Sequence, residues 1–271
     1  MQNAIERILG EIEAGRFREA GAMVERSLSE HPQEMLPYRV NLANWLLLAA
    51  NWPLITQLLP SGTNFFVESG WLESVLQEKP VSKAGAPIPW YTYPAIEFVE
   101  PRVRADFRVF EYGSGWSTAW WAQRVESVFA VEHDAKWFGM VESQLPVNAR
   151  VSLRTDAERY IGELDACGGD FDIVVIDGEH RNQCARAAAA RLKPSGAILF
   201  DNSDRLSFSD GVRYLSDSGW LRIDFFGLTP SYPYKACTSL FFRDTCWLSG
   251  APIPAEQSSS IGPSCSQAIK E

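Results

Sequence analysis

No C-x-x-C pair occurs in this chain. Its five cysteines, Cys167, Cys184, Cys237, Cys246 and Cys265, leave one over when paired, which reads as reduced thiols of a cytoplasmic protein rather than a disulfide framework. Basic residues are also in short supply, with 25 Lys and Arg against 34 Asp and Glu, a net charge of -9 and a pI near 5.0. That balance argues against a general binder of nucleic acid or of anionic membranes, leaving room only for a local basic groove. Long apolar runs are missing too. The most apolar stretch, Trp45 to Ala50, is far too short to cross a bilayer. Met1 to Ala20 alternates charged and apolar residues at helical spacing, unlike a secretory leader. What remains is 46% hydrophobic and 22% charged, a soluble globular composition. At 271 residues the chain has room for one large or two small domains.

One further absence is local. The stretch Val109 to Asp134 reads V-F-E-Y-G-S-G-W-S-T-A-W-W-A-Q-R-V-E-S-V-F-A-V-E-H-D, a short apolar strand, a glycine turn, a helix and a second strand. Glycines at Gly113 and Gly115 let the backbone turn tightly and approach a ligand closely. Glu132, at the tip of the next strand, has the spacing from the loop at which an acid takes a ribose diol. The third glycine of the dinucleotide fingerprint is missing, because Thr118 stands in its place. Glu111, two residues before the first glycine, would repel a pyrophosphate and suits a cationic ligand. S-adenosylmethionine, with an amino group and a sulfonium, is such a ligand. An E-x-G-x-G loop followed by an acid on the next strand resembles the class I S-adenosylmethionine-dependent methyltransferases.

Taken in order, residues 1–60 read as helices. Ile5, Ile8, Leu9 and Ile12 form one apolar stripe, and Ala20, Val24, Ser27 and Leu28 another. Gly15, Phe17, Ala20, Leu28 and Pro32 resemble a tetratricopeptide repeat, with a weaker second copy from Tyr38 to Leu58. Two such units are fewer than a solenoid normally needs, so they are expected to pack on the next domain or on a partner. Pro60-Ser61-Gly62 breaks the pattern. Residues 61–88 are expected to form one helix, Phe65 to Gln77, and then a Pro/Gly/Ala linker. Residues 89–249 alternate strand and helix. Strands are expected at Arg108–Tyr112, Ser127–Glu132, Arg150–Arg154, Phe171–Asp177, Ala197–Asp201, Arg222–Gly227 and Ser239–Arg243. This pattern predicts an α/β fold, a doubly wound and mostly parallel seven-stranded sheet with an antiparallel pair at its edge. Residues 250–271 are rich in Ser and Pro and are expected to be an unstructured tail.

Ligands of open α/β sheets bind at the carboxyl ends of the strands, and each of the first five ends carries an acid: Glu111, Glu132, Asp156, Asp177 and Asp201. The resemblance implies that Glu111, Gly113 and Gly115 hold the methionine part of the cofactor. Glu132 would take the ribose, and Asp156 would lie near the adenine, with His133 beside it. Asp177 with Asp201-Asn202 resembles the metal triad of catechol-type and sugar-type O-methyltransferases. Two carboxylates and an amide oxygen suit Mg²⁺, which would lower the pKa of an acceptor hydroxyl. Gly178-Glu179-His180 departs from that pattern and supplies a local base, so His180 without a metal is an equal alternative. Trp90, Tyr91, Tyr93, Tyr232 and Tyr234 are candidates for the wall of an acceptor pocket.

From these residues we expect an S-adenosylmethionine-dependent methyltransferase acting on oxygen of a small molecule. His180 and Asp177 would be catalytic, and the N-terminal helices would meet a protein partner or a second copy. The rival readings are a non-catalytic adaptor that keeps the cofactor fold and a nicotinamide oxidoreductase, the latter disfavoured by Thr118 and Glu111.

Overall fold

The structure, a computed structural model, describes residues 2–35, 65–257 and 259–262. At the N-terminus α1 (Gln2–Glu13) and α2 (Phe17–Glu30) form a hairpin that turns at Gly15. Its two stripes meet as expected, with Ile5, Ile8, Ile12, Ala20 and Met35 buried together in a small core of their own. The expected second repeat unit, Tyr38 to Leu58, lies outside the described residues.

Two short helices follow, α3 (Phe65–Glu68) and α4 (Trp71–Gln77), where the sequence predicts one. The break is at Gly70, whose φ of +76° suits glycine and where a Cβ would come within 2.3 Å of the Val81 carbonyl oxygen. The expected linker is instead folded onto α4. The Ser74 hydroxyl donates to the Val81 carbonyl at 2.9 Å and accepts from the Val81 N–H at 3.0 Å. Trp71, Val75 and Ile88 are buried in the same core as the sheet. A helix that the strand pattern does not reveal, α5 (Tyr93–Val99), carries Pro94 in its first turn, where a fixed φ and a missing N–H cost nothing.

The sheet comprises β1 (Arg108–Tyr112), β2 (Ser127–Glu132), β3 (Ala149–Leu153), β4 (Phe171–Ile176), β5 (Leu192–Asp201), β6 (Leu221–Thr229) and β7 (Tyr232–Phe242). Helices α6 (Trp116–Ala122), α7 (Ala135–Glu142), α8 (Ala157–Ala166), α9 (Arg181–Arg191) and α10 (Ser209–Asp217) join them. Strand order is β3-β2-β1-β4-β5-β7-β6. The first five strands pair in parallel, and β7 runs antiparallel to both neighbours. The seven-stranded, mostly parallel sheet with an antiparallel end is the one the sequence predicts.

Alternation along the strands divides the core in two. Val109, Ile173, Val175, Ala197, Leu199 and Leu240 face one side, packed with Tyr91, Ile96, Trp120 and Trp121. Phe110, Tyr112, Val174, Ile176, Ile198, Phe200 and Phe241 face the other, packed with Tyr160, Cys184, Ala188 and Leu215. Strands buried on both faces read as near-continuous apolar runs, and β4, F-D-I-V-V-I, is buried throughout, its one polar residue, Asp172, paired with Lys193 at 2.8 Å.

Residues 251–257 and 259–262 depart from the expected unstructured tail. Ile261 is 2% exposed and sits in the core with Trp120 and Trp121. Ser260 donates through its N–H at 2.8 Å and its hydroxyl at 2.9 Å to the Glu100 carboxylate.

Candidate active site

The carboxyl ends of β1, β2, β4 and β5 open into one cavity of about 410 Å³. Glu111, Gly113, Ser114, Glu132, His133, Asp177, Gly178, Asp201, Asn202 and Arg205 line it, and Trp90, Tyr232 and Tyr234 stand along it.

Its floor is Glu111, fully buried on the β1 side that faces Tyr91 and Trp121. The Thr118 hydroxyl donates to this carboxylate and accepts from the Gly115 N–H at 3.0 Å. Thr118 thus closes the first turn of α6 and holds the acid, which explains why a glycine would be out of place there. The Tyr91 hydroxyl stands 3.4 Å from the same carboxylate and accepts from the Trp121 indole N–H at 3.2 Å. Burial pushes the Glu111 carboxyl up to about 8, against the hydrogen bonds from Ser117 and Thr118 that favour its charged form, while nearby Asp177 raises it further.

Gly113 has φ +98°, and its N–H donates to the Val131 carbonyl at 2.9 Å. A Cβ on Gly113 would come 3.1 Å from the Gly178 nitrogen, and one on Gly178 would come 2.0 Å from the Tyr160 hydroxyl oxygen and 2.7 Å from the Gly113 nitrogen. The loops after β1 and β4 therefore touch backbone to backbone. Glu132, 3% exposed, accepts from the Ser114 hydroxyl at 3.0 Å and from the N–H groups of His133 and Asp134 at 2.8 and 3.0 Å. His133 Nδ1 lies 2.9 Å from the same carboxylate.

The ends of β4 and β5 meet around Arg181, a residue the sequence reading passed over. Its guanidinium donates to the carbonyl oxygens of Gly178 at 2.9 Å, Asp201 at 2.5 Å and Asp177 at 2.7 Å. It also donates to Asp177 Oδ1 at 3.0 Å and reaches Asn202 Oδ1 at 3.4 Å. Asp201 accepts from the Thr238 hydroxyl at 2.6 Å. Burial raises the carboxyls of both Asp177 and Asp201, and the negative charge of Asp177 raises Asp201 further, while Arg181 opposes the shift in each.

The expected metal set does not fit here. Asp177 Oδ1 and Asn202 Oδ1 already face the buried Arg181 guanidinium at 3.0 and 3.4 Å, and Asp201 Oδ2 lies 3.9 Å from it, so its positive charge fills the electrostatic need a divalent ion would meet.

Other expected residues are placed differently. His180 is exposed at the start of α9 with φ +53°, its ring edge-on to Tyr160 at 5.9 Å, and it does not line the cavity. Asp156 does not line it either; it caps α8, accepting from the Arg159 N–H at 2.9 Å. Tyr91 lies beneath Glu111, and Tyr93 is buried against Phe65 with ring centroids 5.2 Å apart. The cause is Thr92, whose N–H donates to Thr238 at 3.0 Å and whose hydroxyl donates to the Phe225 carbonyl at 2.9 Å. These bonds pin the segment to β6 and β7 and turn both tyrosines inward. Trp90, Tyr232 and Tyr234 do face the cavity. Arg205 and Trp137 line it as well, unforeseen, with the Trp137 indole N–H donating to the Ser114 carbonyl at 2.7 Å. Arg205 had a visible signal, an arginine four residues past a strand-end acid; Trp137 had none.

Residues 110–203 match a family model described as a methyltransferase domain. No curated protein sequence matches the chain. Among solved structures, precorrin-6y C5,15-methyltransferase from Geobacter metallireducens GS-15 is 19% identical with a TM-score of 0.48, covering 62% of this chain and 96% of its own. The O-methyltransferase TomG from Streptomyces achromogenes, involved in tomaymycin synthesis and solved in complex with S-adenosylmethionine, is 15% identical with a TM-score of 0.47, covering 70% and 94%. The sheet order and the helices between its strands define a doubly wound, mostly parallel α/β fold. The match is confined to the segment from β1 to the turn after β5, which is similar to a methyltransferase domain.

Proposed function

We propose that this enzyme transfers the methyl group of S-adenosylmethionine to an oxygen of a small-molecule acceptor. The observation that carries the reading is the convergence of Glu111, Glu132 and the Gly113 loop on one side of a single cavity, with Asp177 and an aromatic wall on the other. Glu111 and the loop would face the amino group and sulfonium of the cofactor. Glu132 would exchange one of its present donors for the ribose hydroxyls. Ligand and acceptor would then lie in line, which is most of what a displacement from a sulfonium requires. The acceptor oxygen's lone pair forms the O–CH₃ bond while the S–C bond breaks and its electron pair returns to sulfur. We assign the acceptor's proton to Asp177, which lines the cavity where His180 does not. No step is routed through Mg²⁺, because Arg181 holds the oxygens that would bind it.

Calorimetry with S-adenosylhomocysteine tests this reading. Wild type should bind it, and Glu132→Ala should bind it about 1.5–3 kcal/mol more weakly, the worth of hydrogen bonds to a charged group. Equal affinities would remove the ribose assignment, and no binding to wild type would remove the cofactor.

The hairpin α1–α2 supports a tetratricopeptide-like reading, since Ala20 is fully buried at the helix contact and Gly15 takes φ +74° at the bend. We propose it as the surface for a protein partner or a second copy. A cytoplasmic location rests on the sequence alone, on five cysteines without a C-x-x-C pair.

A further inference from the structure

We propose that the acceptor is an aromatic acid, a hydroxyaryl ring bearing a carboxylate that Arg205 binds. This rests on the methyl-transfer reading of the cavity and names the substrate class it serves.

The first observation is the wall. Trp90 and Tyr232 have ring centroids 6.4 Å apart, and Tyr232 and Tyr234 5.3 Å. The Trp90 indole N–H donates to the Pro230 carbonyl at 3.1 Å, which fixes the ring where it lines the cavity. Three aromatic rings on one side of a cleft match a flat, conjugated ligand.

The second observation is charge. Five acids line the cavity, Glu111, Glu132, Asp134, Asp177 and Asp201, and Arg205 is the arginine among its lining residues. Among the described residues the Arg205 guanidinium makes no hydrogen bond and no ion pair, in contrast to Arg181 and to Arg154, which holds Glu163 at 2.7 Å. Its charge acts on Asp177 from a distance, and its N–H groups remain available to a ligand.

The third observation is that Arg205 is planted on a braced turn. Asn202 takes φ +53°, and the Arg205 N–H donates to the Asn202 carbonyl at 3.0 Å. The Ser203 N–H donates to the Cys237 carbonyl at 3.1 Å, and the Cys237 N–H donates to Asp204 Oδ1 at 3.2 Å. The turn is thereby tied to β7, the strand that carries Tyr232 and Tyr234. Glu111 and Glu132 lie on β1 and β2, so Arg205 belongs to the acceptor's side of the cavity rather than the cofactor's.

These three facts select one ligand geometry. A ring lies along Trp90 and Tyr232, its carboxylate accepts the forked N–H pair of Arg205, and its hydroxyl points toward Asp177 and the methyl donor. A neutral ring would offer the guanidinium no charged hydrogen-bond acceptor, leaving it only the longer-range attraction of Asp177.

The probes are 3,4-dihydroxybenzoate and 3,4-dihydroxybenzamide, titrated into the full chain saturated with S-adenosylhomocysteine. Wild type should bind the acid about tenfold or more tightly than the amide, the discrimination expected when a charged partner is lost. Arg205→Gln should bring that ratio close to one and leave the affinity for S-adenosylhomocysteine unchanged, which also shows that the variant is folded. Equal binding of acid and amide by wild type, a ratio unaltered in Arg205→Gln, or binding of neither probe overturns the proposal. So does a variant that loses S-adenosylhomocysteine affinity instead, since Arg205 would then serve the cofactor. If wild type itself fails to bind S-adenosylhomocysteine, the methyl-transfer reading falls first.

Discussion

Glu111 is a carboxylic acid held in a place where burial favours its neutral form. Its ordinary value is 4.5, and burial lifts it to about 8 in the folded, ligand-free protein. Between those values the folded state keeps a proton that the unfolded state gives up. The stabilisation is therefore complete below about 4.5 and is lost as pH rises through about 8. Glu111→Gln keeps the shape without the titration. The melting temperature of wild type relative to this variant should fall steadily from pH 5 to pH 8.5 and then level off. A difference independent of pH would show that Glu111 is charged in the folded protein throughout. A bound ammonium or sulfonium reverses the preference by stabilising the carboxylate, so cofactor should flatten the same curve.

The elements that matter most are the loops joining β1, β4 and β5 to their helices. Arg181, the first residue of α9, ties the ends of β4 and β5 through their carbonyls and acids. Arg181→Ala would leave two buried acids without their counter-charge, a loss of about 3–5 kcal/mol in the usual case of a broken buried pair. Denaturant unfolding measures that cost, and methylation by wild type should be indifferent to EDTA. A variant as stable as wild type, or wild-type activity abolished by the chelator, would return the site to a metal. This is also where the sequence was least informative. The acids were legible because each follows an apolar run that had to be a strand, and a strand end fixes a direction. Arg181 carried no such mark, since a basic residue opening a helix is ordinary until three carbonyls are seen to converge on it. Tyr91 and Tyr93 misled for the opposite reason. Aromatic clusters fill cores and pockets alike, and only the bonds from Thr92 to β6 and β7 decide which way the rings turn. Trp90, one residue earlier, keeps its pocket position because its indole reaches Pro230 instead.

For the molecule as a whole, the segment after Gly250 closes the side of the core that faces α6. Ile261 is 2% exposed there, and the Trp120 indole N–H points to the Ser260 hydroxyl at 3.4 Å. A chain ending at Gly250 should lose about 1.5–3 kcal/mol from that one side chain, measured by denaturant unfolding. A truncated chain of full stability would show that the segment only lies along the surface. The strand order has a consequence in time as well. A ribosome makes β6 before β7, yet β7 lies between β5 and β6, so β6 has no neighbour to pair with when it emerges. The half of the sheet that holds Glu111 and Glu132 is complete in the nascent chain well before the half that holds Tyr232 and Tyr234. During synthesis the β1–β2 end of the cavity is thus in place before the β7 end, and β6 depends on the pace of translation to bring its partner out before another edge finds it.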